Sequence, residues 1–204
     1  MMKLPTTEQL QSLPQWALCA FATRCARRVF PLYHIYVRRA PEHLVAIERA
    51  LELSEQRTNS GESTELHDPY DLQALADTLG VICEAALNME ADAAEAANDD
   101  PFGLEARAYV STAIAAQVAF EVTFSEELLY GVRGVDSCET IAAALTRISK
   151  AGAAPEDELV RGISDDFAAI CQRVRAGGIT DNDGVCQSVF GPLLSRGEPA
   201  LMHA

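Results

Sequence analysis

His67-Asp68 is the first pair in this chain whose chemistry reaches beyond packing. All-helical phosphohydrolases hold divalent ions with histidines, a His-Asp pair and a distant aspartate, because imidazole nitrogen and carboxylate oxygen together suit such metals. That chemistry needs both side chains to converge from inside a helix. Pro69 follows directly, and proline belongs in the first helical turn, so Asp68 is placed as an N-cap instead. His34 and His43 stand alone in helical surroundings and are the remaining candidates for a second metal ligand or a general base. A ferritin-like di-metal centre needs Glu-x-x-His on inward faces, and no glutamate here has a histidine three residues later. Asp181-Asn182-Asp183-Gly184 has the composition of a calcium loop, but Pro192 stands where that loop needs its terminal glutamate. It reads as an Asx turn. The sequence has no nucleophile elbow, phosphate-binding glycine loop or His-Glu-x-x-His motif. No catalytic residue, metal or cofactor is therefore assigned. A metal-dependent phosphohydrolase built on His67-Asp68 with His34 or His43 stands as the alternative to a binding protein.

A different kind of chemistry is carried by Asp77, Glu84, Asn88, Asp92, Glu95 and Asp99, which recur at steps of 7, 4, 4, 3 and 4. That spacing lines them along one face of a helix. Like charges on one ridge raise the encounter rate with a cationic protein, so Asp77, Glu84, Asp92, Glu95 and Asp99 are the candidate partner-binding residues. Arg24, Arg27 and Arg28, on an earlier helix, are the cluster that could balance the ridge from within. The whole chain of 204 residues has 16 Lys and Arg against 30 Asp and Glu, a formal charge of −14. Residues 58–132 hold one basic and 15 acidic groups, so the middle third supplies the net charge. Nucleic acid is excluded as a partner, because phosphate neutralisation needs clustered cations and the only lysines are Lys3 and Lys150.

Helices must position these residues, for nearly every segment has helical period and helical punctuation. The fold expected is all-α, one bundle or short array of six to seven helices spanning residues 1–204. A helix opens near Pro14 with Leu18, Ala22, Cys25, Val29, Leu32 and Tyr36 on one face, and Pro31 should bend or end it. Another follows Pro41 with Leu44, Ile47 and Leu51 inward and Glu48, Glu52 and Glu55 facing water. The polar run at 54–68 reads as a loop. From Pro69 to about Asn98, Leu72, Leu75, Leu79, Ile82, Ala86, Met89, Ala93 and Ala96 form an apolar seam. Such a seam could pair within the chain or with a second copy, which makes a structural homo-oligomer a further alternative. A helix from about Leu104 to Leu129, uncharged from Ala108 to Phe120, is the candidate for the middle of the bundle. Asp136 and Glu139 open a shorter helix with Ile141, Leu145 and Ile148 inward. Pro155 opens the last, whose face is Leu159, Ile163, Phe167, Ile170 and Val174 and whose stop is Gly177. Residues 179–204 read as a turn-rich tail.

The cysteines at 19, 25, 83, 138, 171 and 186 lie in aliphatic runs without zinc spacing and read as reduced core residues of a cytoplasmic protein. Glu8, Gln9, Gln11 and Pro14 interrupt any leader-like apolar run, and the uncharged stretch from Ala108 to Phe120 is too short to span a bilayer. No membrane association is expected.

Trp16-Ala17, the run Ala22-Thr23-Arg24-Cys25-Ala26-Arg27-Arg28-Val29-Phe30-Pro31-Leu32-Tyr33, and Ala46-Ile47-Glu48-Arg49-Ala50 together resemble a bacterial family of all-helical immunity proteins linked to polymorphic toxin systems. The resemblance covers the N-terminal third. It implies a helical fold and a non-enzymatic role in binding and neutralising a partner protein, and it transfers no catalytic residue. The family's acid-plus-histidine pair after Cys-Ala is replaced here by Arg27-Arg28.

Overall fold

The computed structural model describes residues 4–38, 40–60, 68–95, 101–125, 128, 137–150 and 156–178. Among them are seven α-helices and no strand: α1 (Thr7–Gln11), α2 (Gln15–Tyr36), α3 (His43–Ser60), α4 (Pro69–Glu95), α5 (Pro101–Thr123), α6 (Ser137–Ile148) and α7 (Glu156–Ala176). The all-helical expectation holds. None of these helices is long and apolar enough to cross a membrane.

Local chemistry sets the boundaries. Thr6 and Gln9 form a reciprocal capping box at α1, each side chain accepting from the other's backbone N–H. At α4 the Asp68 carboxylate accepts from the N–H of Tyr70 at 2.9 Å, the capping role that Pro69 implied. Gly177 and Gly178 end α7 with φ of +70° and +80°, a left-handed stop that side chains with a Cβ rarely adopt. Pro31 does not end α2, which continues to Tyr36. Proline inside a helix costs roughly 3 kcal/mol. Here Phe30, Leu32 and Tyr33 are buried around it, and their packing holds the turn together.

Three boundaries differ from the sequence reading. The polar run expected as a loop at 54–68 is helical through Ser60. Ser54 and Thr58 are buried because their hydroxyls donate 2.9 Å bonds to the carbonyls of Ala50 and Ser54, so polar composition here marks no turn. Residues 61–67 lie outside the described ones, as do Asp99, Asp136 and the tail at 179–204. The fifth helix begins at Pro101, three residues before the expected start, and stops at Thr123 rather than Leu129. Proline suits that first helical position.

α5 is the central element, packed against α2, α3, α4 and α6. Ala106, Ala108, Ala113, Ala116 and Ala119 are fully buried along it, with Tyr109, Val110 and Phe120 filling the wider spaces. The α4 seam packs on α5: Leu72, Leu79, Ile82, Ala86 and Ala93 are buried within a single chain, with Leu75 and Met89 partly so. A second copy is therefore not needed to cover it. α2 is buried nearly all round its middle, from Ala20 to Ala26, because α3, α5, α6 and α7 all contact it. The alanines let helix axes approach, so enlarging one must force them apart. Ala116→Leu is expected to destabilise the fold by roughly 1–3 kcal/mol. Urea unfolding measures this, and an unchanged midpoint would show that the alanines are not in tight contact.

Candidate functional site

The acidic ridge falls on the outer face of α4. Opposite the seam buried against α5, Asp77, Glu84, Asn88, Asp92 and Glu95 are all exposed. Helical spacing places Tyr70 and Val81 in the same stripe, and these large apolar side chains are 74% and 64% exposed. The face therefore combines four carboxylates with two uncovered apolar groups. Among the described residues no Lys or Arg is in ion-pair contact with Asp77, Glu84, Asp92 or Glu95. Asp77 accepts a 2.8 Å bond from the Gln73 amide, one turn back on the same helix. The next acid toward α6, Glu90, pairs with Arg147. By helical spacing it stands almost opposite the ridge, on the packed side of α4, and ties α4 to α6.

Arg24, Arg27 and Arg28 do not balance this ridge. Arg27 makes a bidentate pair with Glu55 of α3, through Nε and Nη2 at 2.5 Å each. Arg28 forks onto Asp166 of α7, its Nη2 donating at 2.9 Å and its Nε also bonded. Arg24 Nε approaches the same carboxylate at 3.5 Å. Asp166 is only 5% exposed and Arg24 8%, so this triad is interior chemistry. Glu55, expected to face water, is instead held in the α2–α3 junction. The hydrogen bond that Arg28 donates to Asp166 raises its guanidinium pKa above the ordinary value, with burial working in the opposite direction. Arg27 and Arg28 thus work as internal ties.

The candidate bases are occupied in comparable ways. The His43 Nδ1 is hydrogen-bonded to the Tyr109 hydroxyl, and the two rings stack with centroids 6.0 Å apart. Tyr33 meets Tyr109 edge-on at 5.8 Å and donates its hydroxyl to the Ala40 carbonyl. Nearby, the Arg38 N–H donates to the buried Glu105 carboxylate at 2.6 Å, so the α2–α3 corner is stitched to α5. Burial is the main cause that lifts the Tyr109 phenol to about 12 and the Tyr33 phenol further. Both stay protonated, and Tyr33 acts as a donor. His34 is exposed, its ring edge-on to Phe30 at 5.0 Å. Asp68 caps α4, and His67 lies outside the described residues. No group of three or more His, Cys, Asp or Glu able to hold a metal ion occurs among the described residues.

The five described cysteines are free thiols. Burial lifts Cys83 to about 12 and raises Cys25 well above its ordinary value, with the Asp166 charge adding to the second shift. A thiol held protonated and covered is a poor nucleophile. Iodoacetamide at pH 8 is therefore expected to leave Cys25 and Cys83 unmodified in the folded protein and to label both in denaturant. Rapid native labelling, read by peptide mass, would contradict their burial.

Asp166 was the buried acid that charge counting missed. Its position carried a signal: it falls between Ile163 and Ile170 on the apolar stripe of α7, where an acid requires a buried cation. Arg24 and Arg28, one turn apart on α2, are the matching pair.

Fold and site together define an all-helical protein whose arginine-rich helix is used internally and whose acidic face is turned outward. No family model, curated protein or solved structure matches the chain.

Proposed function

We propose that this chain is a non-enzymatic helical binding protein, of the immunity type, that neutralises a basic partner protein through the outer face of α4. One observation carries the reading: Asp77, Glu84, Asp92 and Glu95 stand exposed in a row without an ion-pair partner among the described residues, while the arginine cluster of α2 is committed to Glu55 and Asp166. Such a row presents an unsatisfied field to solvent, and a cationic surface is its natural complement. Tyr70 and Val81 supply what carboxylates alone lack, apolar area whose burial adds affinity that salt does not screen. The likeness of the N-terminal third to immunity proteins of toxin systems supports the same reading, and a reducing cytoplasm is the compartment its free thiols suit. The packed α4–α5 seam gives the face a rigid base, so little ordering cost is expected on binding.

Capture from a lysate of the source cell at low salt tests this. The intact protein should retain a basic protein that salt releases, and the same column carrying protein with Glu84, Asp92 and Glu95 replaced by Lys should not. Equal retention by both would remove α4 from the interface. A stoichiometric divalent ion in the purified protein would favour the phosphohydrolase instead.

A further inference from the structure

α7 is attached differently from the other long helices. Its principal contact is with α2, and of its described side chains only Ile163, Asp166 and Ile170 are buried. Phe167 adds an edge-on contact with Phe21, ring centroids 5.4 Å apart. The buried polar link is the single Asp166 carboxylate shared by Arg24 and Arg28. Gly162 leaves room for that link, since a Cβ there would lie 2.6 Å from Arg28 Nη1. The surface of α2 beneath α7 is therefore an apolar seat with two cations in it, and α7 is an amphipathic helix bringing one acid to that point.

We infer that α7 is a displaceable strap: it occupies in cis a seat on α2 that takes an acidic amphipathic helix, and it opens without unfolding the rest of the bundle. Three buried side chains among the described ones of a 21-residue helix give it a small share of the core, whereas α5 has buried residues in every turn from Gly103 to Thr123. Elements with few buried contacts open first, below the free energy of global unfolding. Opening returns Arg24 and Arg28 to water and leaves a seat that selects a helix with an acid flanked by apolar residues three before and four after it. The tether gives the resident helix a high effective concentration, so a free helix competes only when the resident is impaired. This inference concerns α2 and α7 and stands apart from the role proposed for α4.

The test uses the full chain carrying Asp166→Asn or Gly162→Ala, together with a fluorescent synthetic peptide of residues 156–178 that keeps Asp166 and Gly162. Both chains should remain folded, bind the peptide saturably, and bind the same peptide carrying Asp166→Asn at least tenfold more weakly. In the unaltered protein, hydrogen exchange should be faster in α7 than in α5. Global unfolding of both variants, equal binding of the two peptides, no peptide binding by either folded variant, or α7 exchange as slow as that of α5 would each overturn the inference.

Discussion

Asp166→Asn is expected to lower stability by about 3 kcal/mol, among the largest effects of any single polar substitution in this protein. The reason is the asymmetry of breaking a buried ion pair: the acid disappears while Arg24 and Arg28 stay in place, with side chains 10% and 21% exposed. Two guanidinium groups then face each other without the carboxylate that balanced them. The loss stops near the docking free energy of α7, because release of that helix lets both arginines reach water. Urea unfolding followed by circular dichroism measures the cost, and a midpoint within error of the parent protein would show that the triad does not hold α7. Arg27→Ala should cost less. It leaves one charge, Glu55, without its partner, whereas Asp166→Asn leaves two.

The second large effect belongs to the outer face of α4. Replacing Glu84, Asp92 and Glu95 by Lys moves the net charge from −14 to −8 and places cations where the proposed partner is itself basic. We expect affinity to fall by about 100-fold and its dependence on salt to flatten, since facing like charges slow association and cost binding energy. The fold should survive with a change within about 0.5 kcal/mol, as the three side chains are exposed and make no described ion pair. Titration calorimetry across a salt series reads affinity and salt slope together. An unaltered slope would show that these carboxylates lie outside the interface.

Much of this architecture is legible in the sequence because helices announce themselves twice, by apolar spacing and by end chemistry. Leu72, Leu79, Ile82 and Ala86 named the buried side of α4, and that in turn named its exposed acids. Ile163, Phe167 and Ile170 did the same for α7, and Asp68 and Gly177 punctuated as their residue types demand. The failures share a physical cause. Composition shows which charges exist but not which are neutralised across helices far apart in sequence, so Arg24, Arg27 and Arg28 were available for the ridge until tertiary packing gave them Glu55 and Asp166. Likewise Ser54 and Thr58 look like loop residues until their hydroxyls are seen bonded back to the helix carbonyls behind them. The histidines are ambiguous for the same reason: His43 reads as a free base in one dimension and as the partner of Tyr109 in three.

The proposed role of α4 depends most directly on where a partner touches the protein. Carboxylate labelling with a carbodiimide and an amine tag, read by peptide mass for the protein alone and in its complex, reports that contact residue by residue. The result expected is protection of Asp77, Glu84, Asp92 and Glu95 in the complex, with unchanged labelling of Glu8, Glu139 and Asp165, which are exposed on other helices. Protection of those three with the α4 carboxylates still labelled would contradict it.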